Sequence, residues 1–425
     1  VARRSKGSFC NILDLELTFT EGKRGTLIWR EILRQAAAKV KKNVMHAVLQ
    51  VTPSLNAGGV ERTTIEVAEA LTRAGGRALV ASAGGQLEAE LETVGGELVR
   101  LPLDAKSPLT VAANAVRLAG FLRRRRVAVV HARSRAPGWS ALWAARRLGL
   151  PFVTTYHGLY NARSDLKRWY NSVMAKGDIV IANSEFTRAH VLREYGLAPD
   201  RVIAIPRGVD LKQFDPARID RDAVAALRAR WGFQSSGRIL ALMPTRITRW
   251  KGHEVLLEAA ARVESERPGR LGVVMAGSAV GRENYRAELL RRIQDHGLQD
   301  IAQLVDHQND MPAVLMAADV VVTPSIEPEA FGRVAVEAQA MGRPVVATAH
   351  GGFAETVQDG RSGLLVAPAD AADLAQALVR MIDAGEEGRR RMGEIGMAHA
   401  RPLYAKTTLQ KATLGVYEKV LAEKR

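Results

Sequence analysis

One stretch constrains the fold of this chain more tightly than any other, running from Ala318 to Ala347. It opens with the apolar run Ala318-Asp-Val-Val-Val322, which reads as a strand buried on both faces, as in a parallel sheet. Pro324 and Pro328 then hold a loop, because proline neither donates to a ladder nor continues a helix. From Phe331 the spacing turns helical, with Val334, Val336, Ala338 and Met341 among good helix formers. Gly342 stops that helix, and Pro344-Val-Val-Ala347 opens the next strand. Strand, loop, helix and strand in this order form the repeating unit of a doubly wound α/β sheet, which binds its ligands at the carboxyl ends of the strands.

On this reading Glu329 stands at the helix entrance, and Glu337 lies about two turns further in at 3.6 residues per turn. A helix N-terminus offers free N–H groups and partial positive charge, which suit phosphate oxygens. Ionised carboxylates beside it only accept hydrogen bonds, so they pair with hydroxyls. Phosphates and hydroxyls together describe a nucleotide sugar. A plainer account of the pair, an acidic N-cap and a solvated helix position, stays open on these residues alone.

The rest of the chain alternates in the same way. Strands are expected at 47–51, 78–82, 98–101, 128–131, 152–156 and 179–182 in a first sheet, and at 239–243, 272–276, 302–305 and 318–322 in a second. Helices are expected at 63–74, 111–126, 216–231, 371–384, 387–400 and 407–423. No GxGxxG follows the first strand, which counts against a dinucleotide oxidoreductase. Gly58 and Gly59, in the loop after that strand, let backbone approach a ligand closely, although a flexible turn would use them too. His157 falls just past a strand end, where it either faces the ligand crevice or bonds to backbone. Arg133 and Arg135 follow an earlier strand end and are weaker candidates for holding an acceptor.

Glu329-Ala-Phe-Gly-Arg-Val-Ala-Val-Glu337 resembles the glutamate, seven residues, glutamate motif of the retaining GT-B glycosyltransferases of family 4. Ala340-Met-Gly-Arg-Pro-Val-Val346, His350-Gly-Gly-Phe-Ala-Glu355 and Asp359-Gly-Arg-Ser-Gly-Leu-Leu-Val366 follow in the family's order and spacing, and the resemblance runs from about residue 45 to 420. It implies a GT-B architecture: an acceptor domain at 44–207, a nucleotide-sugar domain at 208–402, and a final helix at 403–425 that returns to the first domain. Arg246 and Lys251 match the pair that neutralises the donor diphosphate, where cations would stabilise a departing anion. By the same resemblance Glu329 aligns the sugar hydroxyls, Glu337 grips the ribose, and His157 faces the sugar from the opposite domain. Phe331, Gly332, Arg333 and Val334 line the donor, and Gly58 and Gly59 lie beside its phosphate. The resemblance implies no cofactor and no metal, and the sequence has no Asp-x-Asp triplet and no close His/Cys cluster. Two positions depart from the pattern, Arg207 where asparagine is usual and Thr245 where glycine is usual.

Within the family, Ile205-Pro-Arg-Gly-Val-Asp210 and Pro244-Thr-Arg-Ile-Thr-Arg-Trp-Lys-Gly252 resemble bacterial lipopolysaccharide-core sugar transferases. That narrower likeness implies a GDP- or UDP-linked donor, including mannosyl transfer, and an envelope glycan or lipid-linked acceptor. Nucleotide-sugar 2-epimerases use the same two-domain fold and form the rival within enzymes.

Charge is uneven along the 425 residues. Lys and Arg against Asp and Glu count 10 − 4 = +6 over 1–43, 22 − 14 = +8 over 44–210, and 29 − 27 = +2 over 211–425. A total of +16 raises nucleic-acid binding as a reading from another class, but no RRM, KH, zinc-finger or helix-turn-helix signature accompanies it. The basic first half, with Arg123-Arg-Arg-Arg126 closing a helix, also fits an anionic membrane surface. A solvated helix C-terminus is its plain alternative. The lone Cys10 excludes a disulfide framework and fits a reducing cytoplasm, and no apolar run reaches the length of a membrane span. Residues 1–43 match no part of the family pattern. Their stretch 27–40 could form a basic amphipathic helix, or the functional start could be Met45.

Overall fold

A computed structural model describes residues 46–56, 58–105, 107–160, 164–234 and 237–424. The expectations for residues 1–43 lie outside these. Two parallel sheets, within one compact unit, make up the framework. The first alternates β1 (Ala47–Val51), α1 (Gly59–Arg73), β2 (Arg77–Ser82), α2 (Glu88–Thr93), β3 (Glu97–Arg100), α3 (Pro108–Arg124) and β4 (Val127–Ala132). It continues with α4 (Arg135–Arg147), β5 (Phe152–Tyr156), α5 (Asp165–Asn171), β6 (Ile179–Ala182), α6 (Glu185–Tyr195) and β7 (Val202–Ala204). The second holds α7 (Arg221–Arg230), β8 (Ile239–Met243), α8 (His253–Glu266), β9 (Leu271–Ala276), α9 (Glu283–Asp295) and β10 (Ala302–Val305). Then come α10 (Met311–Ala317), β11 (Val320–Thr323), α11 (Arg333–Ala340), β12 (Val345–Thr348), α12 (Phe353–Thr356) and β13 (Gly363–Val366). Three helices close the chain, α13 (Ala371–Asp383), α14 (Gly385–Leu403) and α15 (Lys406–Ala422).

The strand orders are β3-β2-β1-β4-β5-β6-β7 and β10-β9-β8-β11-β12-β13. Both reverse direction next to the first strand, between β1 and β4 and between β8 and β11. Such a switch point opens a crevice at the carboxyl ends of the two strands. Every residue of β1, β5, β8 and β9 is buried, which is why β8 and β9 read as unbroken apolar runs, while β1 and β5 also bury Gln50, Thr154 and Thr155. Burying a side chain such as Leu49 or Phe152 completely stabilises the fold by about 1.5–3 kcal/mol each.

The structure corrects several boundaries. The first helix begins at Gly59 rather than residue 63, so Gly58 is its cap residue and the loop before it is shorter than expected. The segment expected as one helix at 216–231 is a short 3-10 turn (Pro216–Arg218) followed by α7. Strands β7 and β13, three and four residues long, gave no separate periodic signal. Most consequentially, α11 starts at Arg333, because Gly332 takes a left-handed φ of 83° and a Cβ there would lie 2.4 Å from Phe353. Glu329 is therefore a loop residue, not the helix entrance.

The two sheets are joined twice. The chain leaves the first after β7 and returns through α15, and the crossings pair with each other. Val209 N–H donates to Tyr404 O at 2.7 Å and Lys406 N–H to Val209 O at 2.8 Å. The α15 helix then docks on the first sheet's layer. Tyr417 OH meets His131 Nδ1 at 2.7 Å, and Gln410 Nε2 donates to Glu66 O at 2.7 Å. Among the described residues no helix is long and apolar enough to cross a membrane.

Tyr417 is fully buried, and its hydroxyl bonds the equally buried His131. Tyr417→Phe should therefore cost about 1–3 kcal/mol through an unsatisfied imidazole nitrogen. Tyr417→Ala should cost roughly 3–5 kcal/mol by adding a cavity. Denaturant midpoints at a constant slope measure both, and a Phe variant as stable as the parent would contradict the role of this bond.

Candidate functional site

The two switch points carry the predicted residues. After β8 the chain runs Pro244 to Gly252, and after β11 it runs Pro324 to Gly332. Gly252 draws these loops together: its φ is 83°, and a Cβ there would sit 1.9 Å from Pro324 O. Ile326 N–H donates to Trp250 O at 2.8 Å, closing the contact. Lys251 is thereby delivered to Glu329, and their charged groups form an ion pair, with Ser325 Oγ donating to the same Glu329 oxygen at 3.3 Å. The Lys251 ammonium also lies 4.2 Å from the Trp250 ring centroid. Arg246 is exposed on the same loop and has no ion pair among the described residues. The Thr245 hydroxyl is buried without a partner among the described residues.

Beyond the loop, Phe331 packs edge-on to Tyr404 at 5.6 Å between centroids, and Val334 leans on the second-domain core. Gly352 has no room for a side chain, since a Cβ would meet Phe331 Cα at 2.4 Å. Glu337 is not solvated. It is 7% exposed and accepts from Arg333 Nε at 2.6 Å, one helical turn away. Burial pushes the Glu337 carboxyl up, with Arg333 pulling it back. For Arg333, burial acts against the charge, but Glu337 and Glu66 outweigh it and hold the guanidinium above its usual range.

On the first sheet, β1 leads to Gly58 and Gly59, β4 to Arg133-Ser-Arg135, and β5 to His157. A cavity of about 250 Å³ opens here, lined by Pro53, Glu61, Arg133, Arg135, His157 and Tyr160 but not by Gly58 or Gly59. Arg133 is fully buried, and its Nε and Nη2 donate to Gln50 Oε1 at 2.8 and 2.5 Å. The Arg135 guanidinium lies 4.4 Å from the Tyr160 ring centroid. Arg207, the departure from the family pattern, proves central: Nη2 donates to His157 Nδ1 at 3.1 Å, and Nη1 donates to Gly59 O. Burial and the neighbouring Arg333 pull the Arg207 guanidinium down to about 10, so it stays charged at neutral pH.

Because arginine only donates, His157 Nδ1 must accept, and its ring proton sits on Nε2. That Nε2 is buried and has no hydrogen-bond partner among the described residues. Burial, then the charges of Arg207 and Arg133, push the imidazole well below its usual range. It is a neutral donor held ready at the crevice.

The second-domain loop reaches the first domain here. Ser184 Oγ donates to Ala330 O at 2.5 Å, and the Glu355 carboxylate accepts the N–H groups of Glu185 and Phe186 at 2.9 and 2.5 Å, capping α6. The structure thus groups Lys251 with Glu329 and Arg333 with Glu337 on the second domain, and Gly59 with His157 on the first. Arg246 stands apart, exposed on its loop. Glu66 escaped the sequence reading. Burial raises it to about 7, opposed by Arg333, Arg207, Lys406 and Arg62. Its signal was visible, as an acid on the stripe of Ile65, Val67, Ala68 and Leu71 that α1 buries.

Two parallel-sheet domains, each with its own switch point and joined across this contact, form a GT-B architecture. Residues 57–213 match the family described as Glycosyltransferase Family 4, and residues 228–399 match Glycosyl transferases group 1. The chain belongs to this family. A glycosyltransferase structure from Rickettsia africae ESF-5 has a TM-score of 0.82 at 33% identity, covering 89% of this chain and 99% of that one. A D-inositol 3-phosphate glycosyltransferase of Frankia alni is 36% identical over 272 residues, 60% of this chain and 65% of the relative's own length. HepE of Anabaena, in complex with UDP-glucose, shares the fold with a TM-score of 0.74 at 22% identity over 89% of this chain and 99% of that one.

His157 should show the Nε2–H tautomer by nitrogen NMR and stay neutral well below the ordinary imidazole range, because burial and the charges of Arg207 and Arg133 oppose the imidazolium. Removing the adjacent cation in Arg207→Met favours the imidazolium, so the pKa should rise and the acid limb of the pH profile should move upward. A parent imidazole titrating near its ordinary value would contradict this assignment.

Proposed function

We propose that the chain transfers a glycosyl group from a nucleotide sugar to an anionic, hydroxyl-bearing acceptor, with retention of anomeric configuration. One observation carries the reading: Lys251 is held against Glu329 at the second sheet's switch point, opposite an arginine-walled cavity at the first's. An arriving diphosphate takes over Lys251 and the unpaired Arg246, and releases the Glu329 carboxylate to accept from sugar hydroxyls. Arg333 Nε holds one oxygen of Glu337, leaving the carboxyl to meet the ribose, and His157 Nε2 donates to the sugar from the first domain. The UDP-glucose complex of HepE and the inositol phosphate in the name of the Frankia relative support these two ligand classes. The narrower expectation of a lipopolysaccharide-core acceptor gives way to an anionic acceptor more broadly, since the curated relative is named for a phosphorylated polyol.

In this reading the acceptor oxygen attacks the anomeric carbon on the face the diphosphate leaves. The bond from that carbon to the phosphate oxygen breaks, and the acceptor's proton passes to the leaving phosphate. The protein supplies positioning and charge stabilisation. Among the described residues no group of three or more His, Cys, Asp or Glu could hold a metal ion. We assign the diphosphate charge to Arg246 and Lys251, and activity is expected to survive EDTA.

Losing one such cation costs roughly 2.7–4 kcal/mol of transition-state stabilisation, by analogy with deletion of an oxyanion donor. Arg246→Ala or Lys251→Ala should therefore lower turnover about a hundredfold or more at saturating donor. Glu337→Gln should mainly raise KM, because ribose contacts are alike in ground and transition states. Near-normal turnover in both cation variants, or loss of activity in EDTA, would overturn the assignment.

A pH dependence follows from Glu66. It is mostly neutral below about 7 and anionic above, so ionisation adds a negative charge near Arg333. Nucleoside diphosphate should bind the parent about three- to tenfold more weakly, relative to Glu66→Gln, at pH near 8 than near 6. Parallel pH profiles of parent and variant would show that Glu66 does not titrate there.

A further inference from the structure

The outer face of α3, α4 and α5 is apolar where a solvated face would be polar. Leu109 and Val116 on α3 are 83% and 75% exposed, and Leu166 and Trp169 on α5 are 75% and 56% exposed. Trp143 on α4 joins them at 47%. The three helices form one surface. Ser140 Oγ of α4 donates to Val111 O of α3 at 2.7 Å, and the Trp139 ring of α4 stacks on Trp169 at 4.6 Å and tilts against Trp143 at 6.1 Å.

Its charge is lopsided. From residue 107 to 176 the sequence has 13 Lys and Arg and a single acid, Asp165; of the cations Arg133 is buried, and Arg125, Arg146 and Arg168 pair with Glu97, Asp178 and Glu194. Neither α3 nor α4 carries an Asp or Glu. Arg117, Arg123, Arg124, Arg147 and Lys167 are exposed, and none has an ion pair among the described residues.

We propose that this face docks on a bilayer containing anionic lipid. Exposed aliphatic and indole side chains enter the headgroup and acyl boundary, while flanking cations meet the lipid phosphates. A nucleic acid would also value cations and tryptophans. The bilayer is favoured because the most exposed positions, Leu109, Val116 and Leu166, are aliphatic and offer no stacking face for a base. The proposal is independent of which sugar is transferred, and goes beyond the catalytic reading. Because α4 follows β4, its N-terminus lies at the carboxyl edge of the sheet, where Arg135 lines the arginine-walled cavity. A docked molecule would present that cavity near the membrane surface.

Flotation of the full chain with vesicles of equal parts phosphatidylcholine and phosphatidylglycerol tests this. Binding is expected to weaken steeply between about 0.1 M and 1 M salt, as the Debye length falls from about 10 Å to about 3 Å. It should be absent with phosphatidylcholine alone. The variant Leu109→Glu/Val116→Glu/Leu166→Glu, altered only at exposed positions, should bind at least about tenfold more weakly while keeping its thermal midpoint. A variant that floats like the parent would overturn the proposal. So would a parent that binds random single-stranded RNA more tightly than the vesicles.

Discussion

The ion pair of Lys251 and Glu329 is the contact on which the rest of the site depends. Both side chains are largely buried, at 14% and 16% exposure, so neither charge can be left alone without a substantial penalty. Each therefore needs a partner at every stage, and a ligand that displaces one must satisfy both. A nucleotide sugar can, because its diphosphate takes the ammonium while its hydroxyls take the carboxylate. Gly252 makes the meeting possible by letting two loops touch at backbone distance. In the proposed reading, selectivity would rest on loop packing at a sheet switch point as much as on the charges themselves.

The same logic joins the two domains. The crossing segments pair through Val209, Tyr404 and Lys406, and Tyr417 and Gln410 fasten the returning helix to the first sheet's layer. Nearer the crevice, Glu355 caps a helix of the opposite domain, and Arg207 ties the crossing segment to both Gly59 and His157. An asparagine could not span those two contacts at once. Here the interdomain strap also sets the tautomer of a site histidine, which couples domain placement to the hydrogen-bonding state of the site.

Much of this was legible in the sequence. Parallel strands announced themselves as short, mostly apolar runs, and 152–156, 179–182, 239–243 and 302–305 match the observed strands to the residue. The glutamate pair, Arg246, Lys251 and His157 stood out through motif spacing. What escaped depends on tertiary contact. Gly332 looks like any helix-start residue until its left-handed φ displaces the helix entrance from Glu329 to Arg333. Arg207 read as a departure of doubtful role because its partners lie 148 and 50 residues away. Glu66 was an acid on an apolar stripe, a local inconsistency whose reason is the cluster of cations that folding brings around it.

The central claim is that one donor, bound between these domains, gives up its sugar on the face its phosphate leaves. Product analysis tests this most directly: the chain is incubated with a panel of nucleotide sugars and a phosphorylated polyol acceptor, and the anomeric configuration of the product is read by proton NMR. The account predicts one nucleoside diphosphate released per glycoside formed, with the donor's configuration kept. An inverted glycoside, or an isomerised nucleotide sugar with no transfer, would contradict it.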